Sequence, residues 1–360
     1  MRIVCTVTND LAQDQRMDRI CRSLAGAGHD VTLVGRLLPT SQPLPETPYK
    51  TYRIHCKNLA GKAFYLEYNW RLWRVLRRWN FDALCAVDLD TLVAGWLLKT
   101  GRRKLVYDAH EWFSETPEVI GRPLIRTLWR TVGGWLVPRT DARYSVAPML
   151  AGKLAEEYGV PFGTVRNLPL RQVIPPARAR EKIILYQGML NPGRGLETAI
   201  RALQWLPGCK LRIVGSGPLL GALRRCGEEV GVRSRVEWLG FRPPAELPEL
   251  TRQAWLGLNL LDDISPSYYY SLANKSLDYL QAGLPSVQMN FPEYRAINDR
   301  YGCYLLVDDL EPETLAQAIR KVMDDENRYA DLRAGCIRAA EELCWEREEK
   351  VLLDVWDSLA

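Results

Sequence analysis

Along the chain, short runs of apolar and β-branched residues alternate with longer segments whose apolar positions recur every three or four residues. The short runs predict strands at Ile3–Thr8, Val31–Gly35, Ala83–Val87, Lys104–Tyr107 and Arg143–Val146. The segments between them predict amphipathic helices, and this alternation implies parallel strands with crossover helices. At Arg171–Arg180, RQVIPPARAR combines prolines and charge without periodicity and reads as a linker. The pattern then restarts, with strands at Ile183–Tyr186, Leu211–Val214, Val236–Trp238 and Leu256–Leu260. Shorter candidates lie at Pro285–Val287 and Tyr304–Leu306. The expected fold class is α/β, with two Rossmann-like, doubly wound parallel-sheet domains, 1–170 and 171–344, facing a central cleft. A last helix in 345–360 is expected to pack back on the first domain. Ligands of such sheets sit beyond the carboxyl ends of the strands.

Composition narrows the setting. A chain of 360 residues is more than one hydrophobic core usually serves, which agrees with two domains. No apolar run approaches the roughly 18 residues that cross a bilayer, and MRIVCTVTND reads as a strand, not a signal peptide. The nine Cys are scattered without C-x-x-C and the three His are not clustered, so neither a zinc site nor a disulfide framework is indicated. A reduced, cytoplasmic setting fits. Charge is uneven: residues 1–165 hold 23 Lys and Arg against 16 Asp and Glu, and the remainder 25 against 27. The basic excess in the first half points to an anionic partner such as phospholipid headgroups, a lipid diphosphate or nucleic acid.

Three turns in the second half each follow a strand and open a helix: YQGMLNPGRGLE (Tyr186–Glu197), RIVGSGPL (Arg212–Leu219) and SLANKSLDYLQAGLPSV (Ser271–Val287). Helix N-termini favour anions, and glycine lets the backbone approach one closely. Arg194 and Lys275 add two full charges, so the three turns together point to a diphosphate. The alternative is a set of ordinary turns and a capped helix with a surface Lys. There is no G-x-x-x-x-G-K-[ST], and TNDLAQDQR after the first strand is not G-x-G-x-x-G, which disfavours a P-loop enzyme and a dinucleotide-dependent dehydrogenase.

Taken as a set, DQRMDRICRSLAGAGHDV (Asp14–Val31), YDAHE (Tyr107–Glu111), GMLNPGRGLE (Gly188–Glu197), VGSGP (Val214–Pro218), WLGF (Trp238–Phe241), NKSLDYLQAGLP (Asn274–Pro285) and WERE (Trp345–Glu348) carry a resemblance. The chain resembles the retaining GT-B glycosyltransferases of family four (glycosyl transferases group 1), especially a bacterial polysaccharide and lipid-linked glycan branch. The resemblance implies hexosyl transfer from a nucleotide diphosphosugar, held by the second domain, to a glycan or lipid-linked acceptor, with no metal and no other cofactor. By position, Arg194 grips the diphosphate, the Asn274–Lys275 helix start supports it, and Asp278 stands where the family's Glu binds the ribose. Gly188 and Gly215 lie in the donor turns and Phe241 near the base. Two departures follow from the same comparison. Met189 occupies a position that is Arg in many relatives, and Tyr270 stands where a sugar-reading Glu is expected. The donor sugar is therefore not inferred.

In the first half, His110 directly follows a strand, and the resemblance gives it contact with the transferred sugar or β-phosphate. His29 reads as structural, and His55 falls in a basic, irregular stretch. Asp108 and Glu111 are candidates to orient His110. Asp14 and Arg16 match the family pattern near donor phosphate or acceptor, with helix capping an equal reading for Asp14. Asp88-Leu89-Asp90 spells the D-x-D of metal-dependent transferases of another fold, but Asp90 reads as a helix N-cap.

Lys50 to Arg78 holds eight Lys and Arg against one acid, Glu67. Trp70, Arg71, Arg74, Arg77 and Arg78 interleave there beside an apolar stripe of Leu72, Val75, Leu76 and Trp79, and Trp129 and Arg130 lie in a similar segment, Ile120–Arg139. Such faces suit peripheral binding to an anionic membrane surface, at the inner face of the cytoplasmic membrane, or a solvated helix side. No other feature supports nucleic acid. Rival functions are a GT-B nucleotide-sugar epimerase and a non-catalytic membrane-associated partner of another transferase.

Overall fold

The computed structural model describes residues 1–176 and 181–359; the linker prediction at 177–180 and the end of the last-helix prediction at 360 lie outside the described residues. The chain divides into two units, one formed by Met1–Asn167 together with the chain from Glu348 onward, the other by Leu168–Arg347.

The first unit holds β1 (Arg2–Asp10), β2 (Asp30–Leu37), β3 (Lys50–His55), β4 (Ala83–Val87), β5 (Lys104–Ala109), β6 (Ala142–Ser145) and β7 (Gly163–Thr164), in the order β3-β2-β1-β4-β5-β6-β7. Every pairing among the described residues is parallel, with Cys5 opposite Cys85 in the β1–β4 ladder. All five residues of β4 (ALCAV) are buried, as expected where helices cover both faces of a parallel sheet. The strand order reverses between β1 and β4, and this switch point is where an open α/β sheet places ligands. The helix Trp345–Asp357 ends in this unit, with Leu352 and Trp356 fully buried. Glu348 accepts from the backbone N–H of Arg166 at 2.7 Å and pairs with its guanidinium at 2.6 Å.

The second unit holds β8 (Ile183–Gln187), β9 (Lys210–Val214), β10 (Val236–Gly240), β11 (Leu256–Asn259), β12 (Ser286–Met289) and β13 (Tyr304–Val307), in the order β10-β9-β8-β11-β12-β13. Its reversal falls between β8 and β11.

Every strand expected from the pattern is present. Two were not expected. β3 (KTYRIH) is an edge strand in which only Ile54 is buried, so it carries no apolar run. Its last residue is His55, which therefore ends a strand and does not lie in an irregular stretch. β7 is two residues long, too short for any period to register.

Candidate active site

The first unit gathers polar groups at the carboxyl ends of β1, β4 and β5. Helix Gln15–Gly26 follows β1 and starts on Asp14, whose carboxylate accepts from the backbone N–H of Met17 at 3.0 Å; the capping reading of Asp14 is the one its geometry supports. One residue into that helix system, Arg16 turns inward and is buried. Its Nη2 donates to Asp108 Oδ1 and its Nε to His110 Nε2, both at 2.9 Å. Asp108 Oδ2 lies 3.2 Å from the same histidine nitrogen. Burial would raise the Asp108 pKa, but Arg16 and His110 outweigh it and hold the carboxyl below its usual range. For His110 burial opposes the charged ring; Asp108 and Asp88 favour it, Arg16 opposes it, and the net direction is upward.

The D-x-D falls beside this cluster, and its roles differ from those expected. Helix Asp88–Leu98 is preceded by Val87 at the N-cap position, so Asp90 is not the cap. Asp90 sits inside the first turn, buried, and accepts from the Thr8 hydroxyl at 2.6 Å. Asp88 adopts φ +55, a left-handed conformation uncommon outside glycine, and its Oδ1 accepts the backbone N–H of His110 at 2.8 Å. Desolvation, opposed by His110, leaves Asp88 raised to about 6. Desolvation and the Asp88 charge raise Asp90 to about 7. Glu111, though exposed at its rim, is pushed up by desolvation and by the charges of Asp88, Glu118 and Asp90. Among the described residues no group of three or more His, Cys, Asp or Glu is placed to hold a metal ion.

The second unit's switch point is built from three turns. Gly188 and Gly215, at the ends of β8 and β9, both have positive φ, and their loops press together: a Cβ on Gly215 would lie 1.9 Å from the Gly188 carbonyl oxygen. Part of the glycine requirement is thus loop against loop. A Cβ on Gly188 would come within 3.4 Å of Lys275 Cε, so that glycine also leaves room for the lysine. Helix Asn274–Gln281 places Lys275 in its first turn, with Nζ 4.5 Å from the centre of the Tyr186 ring. Arg194 lies over Tyr268 at 4.6 Å, and its Nε is buried without a hydrogen-bond partner. Desolvation and the neighbouring Arg194 charge lower Lys275 to about 7, with Asp278 opposing. Asp278 accepts from Gln187 at 3.2 Å, and Gln187 is held in turn by Thr251 at 3.0 Å. Asn274 is exposed at the helix start, Phe241 is 60% exposed and Met189 54% exposed. Tyr270 closes the short helix Pro266–Tyr269 and packs edge-on against Tyr269. Each unit therefore carries, at its own switch point, one cluster of opposite sign to the other.

The family model for glycosyl transferases group 1 matches residues 172–342, and that for the glycosyl transferase 4-like domain matches 13–171. The chain belongs to the group 1 glycosyltransferases. Among relatives, this transferase is similar to a D-inositol 3-phosphate glycosyltransferase of Corynebacterium glutamicum (strain R), 25% identical over 175 residues, which are 46% of this chain and 40% of that protein. It spans less than half the length of the curated relatives it matches. In fold it is similar to a sucrose-phosphate synthase from Thermosynechococcus elongatus (TM-score 0.81, 16% identity, 100% of this chain and 99% of that one). It is likewise similar to Anabaena HepE in complex with UDP-glucose (TM-score 0.79, 15% identity, 99% and 100%). The fold is GT-B.

The transferase also carries the basic, aromatic helices anticipated above, with their faces redistributed. Helix Gly61–Leu76 buries Phe64, Tyr68, Leu72 and Leu76 and ends before Trp79. Trp70 and Leu66 are exposed, with Arg74 over the Trp70 ring at 5.3 Å and Arg77 over Trp73 at 4.7 Å; Arg78 is exposed beyond the helix end. Arg71 pairs with Glu67 and Arg130 with Glu157. Trp129 turns inward between Tyr65 and Phe113, at 5.8 and 4.8 Å, and so does not belong to an outer face. The exposed side of helix Pro123–Leu136 is instead Leu124, Leu128 and Trp135, spaced four and seven residues apart. The four- and seven-residue spacing of these positions is itself a helical signal in the sequence. Among the described residues no helix is long and apolar enough to cross a membrane.

Proposed function

We propose that this transferase moves a hexosyl unit from a nucleoside diphosphate sugar to a glycan or lipid-linked acceptor, with retention at the anomeric carbon and without a metal. The observation that carries the reading is the pair Arg194 and Lys275, two cations resting on aromatic rings at the carboxyl end of β8 and beside a helix N-terminus. A diphosphate meets both charges there, and the Asp278 carboxylate, an acceptor only, suits the ribose hydroxyls. Stabilising the departing diphosphate is the largest electrostatic task of such a reaction, and two fixed cations perform what a metal otherwise would. In the transfer the acceptor oxygen bonds to the anomeric carbon as the bond from that carbon to the β-phosphate oxygen breaks. The acceptor proton passes to the departing phosphate oxygen, so no separate base is needed. His110 contacts the transferred sugar or the β-phosphate. The UDP-glucose complex of a fold neighbour supports a nucleotide sugar donor.

The test is a thermal-shift screen of uridine, guanosine and adenosine diphosphates, followed by product analysis with and without acceptor lipid in excess chelator. Stabilisation by one nucleotide and a glycosylated product that survives chelation are expected. Conversion of the donor alone would mark an epimerase, no nucleotide binding would leave only a partner protein, and strict metal dependence would overturn the metal-free mechanism.

The exposed Leu66 and Trp70 on the helix that carries Arg74, with Arg77 and Arg78 just beyond its end, and the exposed Leu124, Leu128 and Trp135 on helix Pro123–Leu136 support a second element of the proposal: the first unit binds anionic bilayers peripherally at the cytoplasmic face, where a lipid-linked acceptor resides. Flotation with vesicles containing anionic lipid at low salt tests it; failure to float rejects membrane binding and leaves the transfer reaction standing.

A further inference from the structure

One nitrogen of His110 has two suitors. Arg16 Nε donates to Nε2 at 2.9 Å, while Asp108 Oδ2 stands 3.2 Å from the same atom. Arg16 Nη2 meanwhile donates to Asp108 Oδ1 at 2.9 Å, which locks the guanidinium in place. The Arg16 side chain is 4% exposed and that of Asp108 0%, so water does not compete. The histidine backbone is pinned independently, by its N–H to Asp88 Oδ1 at 2.8 Å. No group of the described residues bonds to Nδ1, and the side chain keeps 20% of its surface open.

Arginine is a donor only and does not give up its proton in a protein. A ring nitrogen that receives an arginine N–H must offer a lone pair. In neutral imidazole one nitrogen carries the hydrogen and the other the lone pair, and the bond made by one decides the state of the other. We infer that Arg16 fixes the tautomer of His110, so that the open side of the ring presents Nδ1–H to an oxygen of the substrate and is never a proton acceptor there. Arg16 is thus a positioning residue, acting through the ring without touching substrate. The inference rests on the proposed contact of His110 with the sugar or β-phosphate, whose oxygens are acceptors.

Asp108 leads to the same result when the ring is charged. A hydrogen placed on Nε2 must displace the Arg16 contact, and Asp108 Oδ2 is positioned to receive it. Nδ1 keeps its hydrogen throughout. Neutral or charged, the ring donates on its open side. It can hold a sugar hydroxyl or steady a β-phosphate oxygen, but it cannot take the acceptor proton, which leaves that proton to the departing diphosphate.

The experiment is long-range 1H–15N spectroscopy of the full chain with 15N-labelled histidine. There are only three His, and H29Q and H55Q assign the signals. The expected result is a neutral His110 with hydrogen on Nδ1 and a bare Nε2, and in R16M a hydrogen that moves to Nε2 facing Asp108. Hydrogen on Nε2 in the unmodified protein overturns the inference, as does an unchanged Nδ1–H in folded R16M. If R16M does not fold, the spectrum of the unmodified protein still decides, and R16K, which keeps a donor, should keep Nδ1–H. Where transfer is measurable, R16M should lose about 100-fold in kcat with a smaller change in donor KM. A switched tautomer with unchanged kcat would instead overturn the substrate contact of His110, not the role of Arg16 on the ring.

Discussion

The two switch points of this transferase face opposite electrostatic problems. In the second unit two cations gather at Arg194 and Lys275, resting on the rings of Tyr268 and Tyr186. In the first, Asp88, Asp90 and Glu111 crowd together, while Asp108 is held in its charged form by Arg16 and His110. Burial moves Lys275 and Asp90 toward neutrality: the first falls to about 7 and the second rises to about 7. A folded protein keeps such groups only where something else gains from them, since each would be more stable in water. In the second unit that gain is an anionic donor, supplied from outside. In the first it is internal: Asp88 and Asp90 hold the His110 backbone and Thr8, and thereby the ring above them.

Breaking the cationic side should have the largest effect. Alanine at both Arg194 and Lys275 should abolish measurable transfer, with each single change lowering kcat/KM by about 10- to 100-fold, since a hydrogen bond to a charged group contributes roughly 1.5–3 kcal/mol. Circular dichroism should remain that of the parent, and undiminished activity in both single variants would sink the phosphate assignment.

The pH dependence of that side comes next. Lys275 is depressed in the ligand-free protein and binds an anion best when charged, so uridine diphosphate affinity should fall as pH rises through about 7. K275R removes the titration, and calorimetry from pH 6 to 9 should find its affinity nearly flat. Parallel curves for the two proteins would assign the pH dependence elsewhere.

The acidic side should respond through stability. The folded pKa of Asp90 is raised, so the native state binds more protons than the unfolded chain between the ordinary carboxyl range and about 7, and stability is lost as pH rises across that window. D90N keeps an acceptor for Thr8 and removes the charge. It should raise Tm at pH 8 by a few degrees, on the order of 2–4 °C per kcal/mol, and far less at pH 4. A lower Tm at pH 8 would contradict the raised value. The smallest expected effect is that of M189R: an added exposed cation should tighten nucleotide binding by no more than about five-fold, screened by salt.

How much of this was legible beforehand follows from what each feature depends on. The strands depend on apolar runs, and the buried ones announced themselves; KTYRIH, half solvated at an edge, did not. Arg194, Lys275 and Asp278 could be placed together because turns and helix starts leave local marks. The partnership of Arg16 with Asp108 and His110 joins residues 92 and 94 positions apart, and no local pattern encodes it. Asp90 misled because an acid in front of a helix usually caps it; here Asp88 takes a left-handed turn and the helix starts at Asp88, three residues earlier than a cap at Asp90 implies. Lys275 on Tyr186 is likewise a product of tertiary packing.

The first unit is interrupted. All of the second unit lies between Asn167 and Glu348, and the helix that buries Leu352 and Trp356 belongs to the sheet begun at Arg2. A ribosome delivers these parts in sequence order, so the first unit emerges with Arg166 unpaired and must wait while some 180 residues are added, on the order of 10–40 s, before Glu348 arrives. The second unit has no such delay and can complete itself first. Synthesis order and folding order are therefore reversed in this chain, and a truncation before Glu348 would do its damage at the opposite end of the sequence.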